Sequence, residues 1–364
     1  MSKIISIGTA LPPHRHFQGD ILEFMQRVYA LPDAEKRKLK FLYHQSGIET
    51  RHSVIPDYSR NITEWKFYPQ SEGLEPFPSL EHRMNWFNKY AAPLSVDAIR
   101  NCLAGIIADT EITHLITVSC TGMSAPGLDL QIMELMDMQK NLYRTSVNFM
   151  GCYAAIHALK IADSICATGK KAKVLVVCTE LCTLHFQRET TMDSIASGLL
   201  FGDGSAAVLV ANDQDERKGL HLKGFYSEVI TKGKKDMAWE LSSSGFLMTL
   251  SGYVPELIEE DFEPLVKKST DAVGIERKNI THWCIHPGGK RILDAIHRSM
   301  TFSNGELKAC YEVLKNYGNM SSASILFILK EMMKQNDTVT DKNIFGAAFG
   351  PGLTMETFVA SSHA

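Results

Sequence analysis

The chain carries one pattern twice, with different polar residues at matching places. The first copy reads Ile112-Thr113-His114-Leu115, then Gly151-Cys152 opening a small-residue helix, then Phe201-Gly202-Asp203-Gly204 before a strand. The second reads Ile280-Thr281-His282-Trp283, then Gly318-Asn319 opening a small-residue helix, then Phe349-Gly350-Pro351-Gly352 before a strand. The offsets are 168 at Ile112/Ile280, 167 at Cys152/Asn319 and 148 at Phe201/Phe349. Two near-equal offsets predict duplicated halves that face each other, with a shorter connection in the second. A thiol from one half and an amide from the other then reach one shared site. Duplication for packing alone gives no reason to place Cys and Asn at matching helix starts, so the pattern points to chemistry.

The length, 364 residues, suits two ordinary domains or one large duplicated α/β unit. Hydrophobic residues make up 45% and charged residues 22%, a core-forming composition, and a net charge of −3 gives no nucleic-acid footprint. The start, Met1-Ser2-Lys3-Ile4-Ile5-Ser6-Ile7-Gly8, runs directly into strand-like alternation and lacks signal-peptide regions. No apolar run reaches the roughly 18 residues of a membrane span. A soluble cytoplasmic protein is expected. The eight cysteines are irregularly spaced with no Cys-x-x-Cys; Cys178 and Cys182 close an apolar run and read as a buried strand end rather than a zinc site. No metal is expected.

Short apolar runs alternate with helical patterns, which predicts an α/β architecture. Buried strands are expected over 112–119, 173–177, 205–210, 220–230, 281–285 and 355–360, and helices over 21–30, 93–106, 154–167 and 323–333. On the third helix Ala155, Ala158, Leu159, Ala162 and Ile165 form one continuous apolar stripe, placing it inside the molecule. The halves divide in the polar stretch 212–218, giving 1–214 with the thiol and 215–364 with His and Asn. The stretch 55–80, rich in Pro, Ser and aromatics, is expected to wrap the surface as an ordered excursion.

Three residues carry the candidate chemistry. Cys152 begins a helix, whose free N–H groups and dipole favour thiolate and can hold an oxyanion. His286 ends a strand before Pro287-Gly288-Gly289, where an α/β enzyme presents a side chain to a cleft, and imidazole can take the thiol proton. Asn319 can donate its amide N–H to a carbonyl or enolate oxygen, or act as an N-cap. The loop Gly350-Pro351-Gly352 brings backbone close to something, and no phosphate-cradling motif occurs.

With these residues in view, Gly151-Cys152-Tyr153-Ala154, Ile285-His286-Pro287-Gly288-Gly289, Tyr317-Gly318-Asn319-Met320-Ser321-Ser322-Ala323 and Phe349-Gly350-Pro351-Gly352-Leu353-Thr354 resemble the type III polyketide synthases, the chalcone synthase family. The resemblance runs from about Lys3 to the C-terminus. It implies a thiolase-like αβαβα fold of five layers, and a homodimer. It implies that Cys152 accepts an acyl group from a CoA ester and that His286 pairs with the thiolate. His286 and Asn319 bind the malonyl-CoA thioester and stabilise the enolate formed by decarboxylation. The grown chain cyclises to a pyrone or phenolic ring, with CoA thioesters as substrates and no cofactor.

The resemblance also places Phe201 as an aromatic gatekeeper, Met248 where plant enzymes carry Phe, Trp239 where they have Gly, and His185 and Cys120 at cavity positions where they have Thr. Ser321 joins the substrate-binding set, and Arg51 is assigned to CoA phosphate. These departures point away from plant-like chalcone or stilbene formation and toward an aliphatic pyrone or resorcinol. Competing readings are a ketoacyl synthase III-like single condensation and a catalytically silent dimer. A papain-like Cys-His-Asn hydrolase would not explain the paired halves.

Overall fold

The computed structural model describes residues 2–71, 73–303, 305–334 and 342–363. Met1 lies outside the described residues. The duplication is visible atom by atom. Thr113 Oγ1 lies 2.8 Å from His114 Nδ1 and donates to Lys173 O at 3.1 Å; Thr281 Oγ1 lies 2.8 Å from His282 Nδ1 and donates to Asn343 O at 3.1 Å. Each pair starts a strand that runs parallel to its neighbour, His114–Ser119 beside Lys173–Leu181 and His282–Ile285 beside Asn343–Gly350.

Nine strands form one sheet in the order His282–Ile285, Asn343–Gly350, Thr354–Ser361, Leu220–Val229, Ser2–Ala10, Asp203–Asn212, Lys173–Leu181, His114–Ser119 and Tyr143–Asn148. Within the sheet the halves join where Ser2–Ala10 pairs with Leu220–Val229, through Ser2 with Leu222, Lys3 with His221 and Ile4 with Leu220. The Ala154–Thr168 helix contacts Asp203–Asn212 of the first half and Thr354–Ser361 of the second, while Ser324–Lys334 contacts both Asp203–Asn212 and His282–Ile285. Helices that touch both halves lie between them. Leu80–Leu103 covers the outer face of the first half and Val254–Val273 that of the second, completing five layers. Ala155, Ala158, Leu159 and Ala162 are wholly buried, so the small-residue stripe does bring the two halves close. The shorter second connection also has a structural cause. Twenty-one residues separate Leu181 from Asp203, including the Met192–Leu200 helix, whereas three separate Gly350 from Thr354.

One expectation is corrected. The helix placed at 93–106 spans Leu80–Leu103, with Pro93 inside it. Its start is set by Ser79, whose side chain accepts from His82 N, and not by the proline. The described residues of 55–80 run along the surface with their polar side chains outward and most of their aromatics inward. Trp65 and Tyr68 pack on Phe24, Phe67 is buried beside Tyr68, and Asp57 gathers the N–H groups of Lys66, Phe67 and Tyr68. Its aromatics join the core because that carboxylate satisfies the backbone of the turn. Cys178 and Cys182 are both buried at the end of the Lys173–Leu181 strand, as expected. No helix among the described residues is long and apolar enough to cross a membrane.

Candidate active site

Gly151–Tyr153 forms a single 3₁₀ turn ahead of the central helix, and Cys152 sits in it. Gly151 has φ +78°, and a Cβ there would come 2.2 Å from Pro351 Cδ. Both the backbone sign and the close approach of the Gly350-Pro351-Gly352 loop therefore require glycine. The Gly151 N–H donates to Cys120 Sγ at 2.9 Å. Gly151→Ala should displace Cys152 and lower its acylation by about 100-fold, since a 1 Å misplacement costs that much. An acyl-enzyme forming at the wild-type rate, followed by intact-protein mass spectrometry, would refute this.

The second half brings Asn319 and Ser321 to the same place. Cys152 Sγ lies 3.7 Å from Ser321 Oγ. Asn319 Oδ1 accepts from Ser321 N at 2.8 Å, and its Nδ2 donates to Gly288 O at 3.3 Å. Asn319 is not the N-cap of the following turn, a place held by Met320; its oxygen bonds Ser321 N, which fixes the amide beside the Cys152 thiol. Ser321 has φ +48°, a left-handed conformation uncommon for serine, held beside the thiol.

His286 is buried, and neither ring nitrogen has a hydrogen-bond partner among the described residues. Burial lowers its pKa to about 3. Burial likewise pushes the Cys152 thiol up to about 12, against the pull of the Ser321 hydroxyl and Asn319 amide. Burial thus works against the charged forms of both groups, the thiolate and the imidazolium alike.

An apolar cavity of about 40 Å³ joins these elements; its walls include Cys120, Cys152, Phe201, Trp239, Met248, Ser321 and Pro351. Trp239 and Met248 are cross-strand partners in the hairpin of Met237–Ser242 and Gly245–Leu250. Trp239 Nε1 donates to Cys120 O at 2.7 Å, which fixes the indole across the cavity. His185 does not line this cavity, contrary to expectation. Its Nε2 bonds Thr121 O at 2.7 Å, its Nδ1 accepts from Phe246 N at 3.1 Å, and its ring stacks on Phe246 at 4.2 Å, behind Trp239.

Arg51 is also corrected. It is 4% exposed and cannot meet a solvent-borne phosphate. Its Nε donates to Gln18 Oε1 at 3.0 Å and its Nη1 to Phe201 O at 2.6 Å.

Sequence reasoning missed two features. One is Glu180, wholly buried, whose carboxylate accepts from Cys120 N, Thr121 Oγ1 and Ser322 Oγ, tying the halves together beneath the thiol. Only its place in an apolar strand could have signalled it. Burial raises its pKa to about 7. A raised carboxyl pKa means the fold prefers the proton, so stability falls as pH rises from about 4.5 to about 7 and stays lower above. Glu180→Gln should remove up to about 3 kcal/mol of that pH dependence, because Ser322 can turn its hydroxyl to accept from the new amide. Asp203, raised to about 6, adds a slope common to both proteins. Equal slopes in denaturant unfolding between pH 4.5 and 8 would refute the assignment.

The other missed feature is a larger apolar cavity of about 360 Å³. It lies against Leu42, Met192, Leu200, Leu250, Gly289 and Arg291. The Asp33–Gln45 helix that supplies Leu42 carries the run Lys36-Arg37-Lys38-Leu39-Lys40, a signal visible in the sequence.

Models of the chalcone and stilbene synthases match residues 1–214 as the N-terminal domain and 222–364 as the C-terminal domain. The chain belongs to the chalcone and stilbene synthase family, the type III polyketide synthases. Among the relatives of this synthase is "Probable polyketide synthase 1" of Dictyostelium discoideum, 29% identical over 363 residues. The match covers 98% of this chain but 11% of that relative's length. The crystal structure of the C-terminal type III polyketide synthase domain of Steely1, a type I/III hybrid from Dictyostelium, superposes with a TM-score of 0.91 at 28% identity, covering 99% of this synthase and 98% of that chain. PKS-I from the brown alga Ectocarpus siliculosus gives 0.91 at 24% identity, covering 99% and 97%, and shows the shared fold.

Proposed function

We propose that this chain loads an acyl group from an acyl-CoA starter onto Cys152, extends it by decarboxylative condensation with malonyl-CoA, and releases a cyclised pyrone or phenolic ring. The observation that carries this reading is the junction of the halves, where the Cys152 thiol of residues 1–214 meets the Ser321 hydroxyl and Asn319 amide of residues 215–364 beside an apolar cavity. The first step is attack of Cys152 Sγ on the starter thioester, with the thiol proton passing to His286 and then to the departing CoA thiolate. Burial that disfavours charge suits this, because charge develops only when substrate supplies the carbonyl. In the second step the malonyl thioester oxygen binds His286 and the Asn319 amide. Carbon dioxide leaves, its bonding electrons form an enolate, the enolate carbon attacks the Cys152 thioester carbonyl, and the C–S bond breaks to return Cys152 as a thiolate, free for the next loading.

The 360 Å³ cavity suits a pantetheine arm, and Lys290 and Arg291 in its wall suit the phosphates of CoA. A homodimer is proposed through Tyr143–Asn148, which pairs on one side only, with exposed Tyr143, Met123 and Leu135 alongside. The reaction is placed in the cytoplasm. The small catalytic cavity is the one observation favouring a single condensation, since about 40 Å³ holds only a few water molecules.

Product mass spectrometry of the purified protein with malonyl-CoA and a panel of acyl-CoA starters tests the proposal. Triketide or longer pyrones or phenolic rings support it. A single-extension product, or none without a carrier protein, favours the ketoacyl synthase-like reading.

A further inference from the structure

Arg51 is a cation in the interior that donates to the Gln18 amide oxygen and the Phe201 carbonyl, with the Tyr43 hydroxyl and the Asp203 carboxyl nearby. A buried guanidinium is costly to desolvate, and an apolar residue would fill the space more cheaply. The arrangement around it explains its presence. The crossing from the Met192–Leu200 helix to the Asp203–Asn212 strand has three carbonyls in a row, each taken by a different donor. Gln18 Nε2 bonds Leu199 O at 3.0 Å, Asn319 N bonds Leu200 O at 2.9 Å, and Arg51 Nη1 bonds Phe201 O. Gly202 N returns a bond to Asn319 O at 2.9 Å. The backbone of Asn319 is thus registered against a crossing that Arg51 and Gln18 hold from the other side. The Arg51 stem also abuts Gly318, where a Cβ would come 2.9 Å from both its Cγ and Cδ.

We propose that Arg51 is a positioning residue, clamping with Gln18 the segment that carries Phe201 and so setting the placement of Asn319. The planar guanidinium is suited to this because Nε and Nη1 fix two acceptors at once, which an ammonium on a flexible stem does not do. The hydrogen bonds that place Gly151 do not involve Arg51: the Gly151 N–H goes to Cys120 Sγ. The clamp therefore acts on Asn319 directly, while the Gly151–Cys152 turn is held by a bond of its own. Its catalytic consequence rests on the proposed function.

The test has two arms. In the first, hydrogen exchange of wild type, Arg51→Met and Arg51→Lys is followed by mass spectrometry. Exchange at Gly202 and Asn319 should rise about 10-fold or more in both variants while the Lys173–Leu181 strand is unchanged. In the second, malonyl-CoA decarboxylation should fall about 10- to 100-fold, while alkylation of Cys152 by iodoacetamide stays within about 3-fold. Gln18→Met, which removes a clamp partner without deleting the buried cation, should shift both readouts the same way by less. It serves if Arg51→Met does not fold. Exchange that rises uniformly or not at all, full recovery in Arg51→Lys, or decarboxylation and alkylation falling together would overturn the clamp. A wild type that does not decarboxylate malonyl-CoA would instead sink the proposed function, and the exchange arm would still decide the clamp.

Discussion

Replacing Cys152 by Ala is expected to abolish product formation, by at least about 10⁴-fold, because no other group in the cavity can hold the growing chain. Cys120 and Cys182 also face that cavity, but both are buried whereas Cys152 is partly exposed, and Cys120 Sγ is occupied by the Gly151 N–H. The same variant should still decarboxylate malonyl-CoA, since the enolate is held by His286 and Asn319 and needs no thiol. Mass spectrometry of products, with carbon dioxide release measured in parallel, separates the two steps. Product formation surviving in Cys152→Ala would remove the thiol from the mechanism. A wild type that cannot be acylated would favour a silent member of the family.

Trp239→Gly is expected to change what is made. The indole spans the wall of a cavity of about 40 Å³, fixed by its bond to Cys120 O and by edge contacts with His185 and Phe246. Glycine removes the ring and leaves the cavity open to the hairpin face, giving room for more extensions or another fold of the chain. The change should cost no more than about 3–5 kcal/mol of stability, the range for truncating a buried aromatic, and less here because Trp239 is half-buried. Product profiles of the two proteins with one starter provide the check: longer or differently cyclised products are expected, and an identical profile would dissociate Trp239 from chain length.

The parts of this protein legible in the sequence share a property: each is a local pattern or a residue identity. The repeated Thr-His strand starts, the small-residue stripe of the central helix, the Cys and Asn at matching turns and the His at a strand end are all short-range features, and the structure brings Cys152 and Asn319 together across the seam. The less legible parts depend on partners far along the chain. Arg51 reads as a surface cation until Phe201 and Gln18 enclose it, and Ser79 starts a helix that Pro93 seemed to open.

The sequence by itself determined the duplicated architecture, the family and the candidate chemistry, because periodicity, spacing and side-chain type survive without coordinates. Tertiary contacts alone show that burial opposes charge on Cys152 and His286, that His185 braces the wall rather than facing the cavity, and that Trp239 leaves so little room. Those properties follow from desolvation and from neighbours more than 50 residues away, and neither exists until the two halves close on each other.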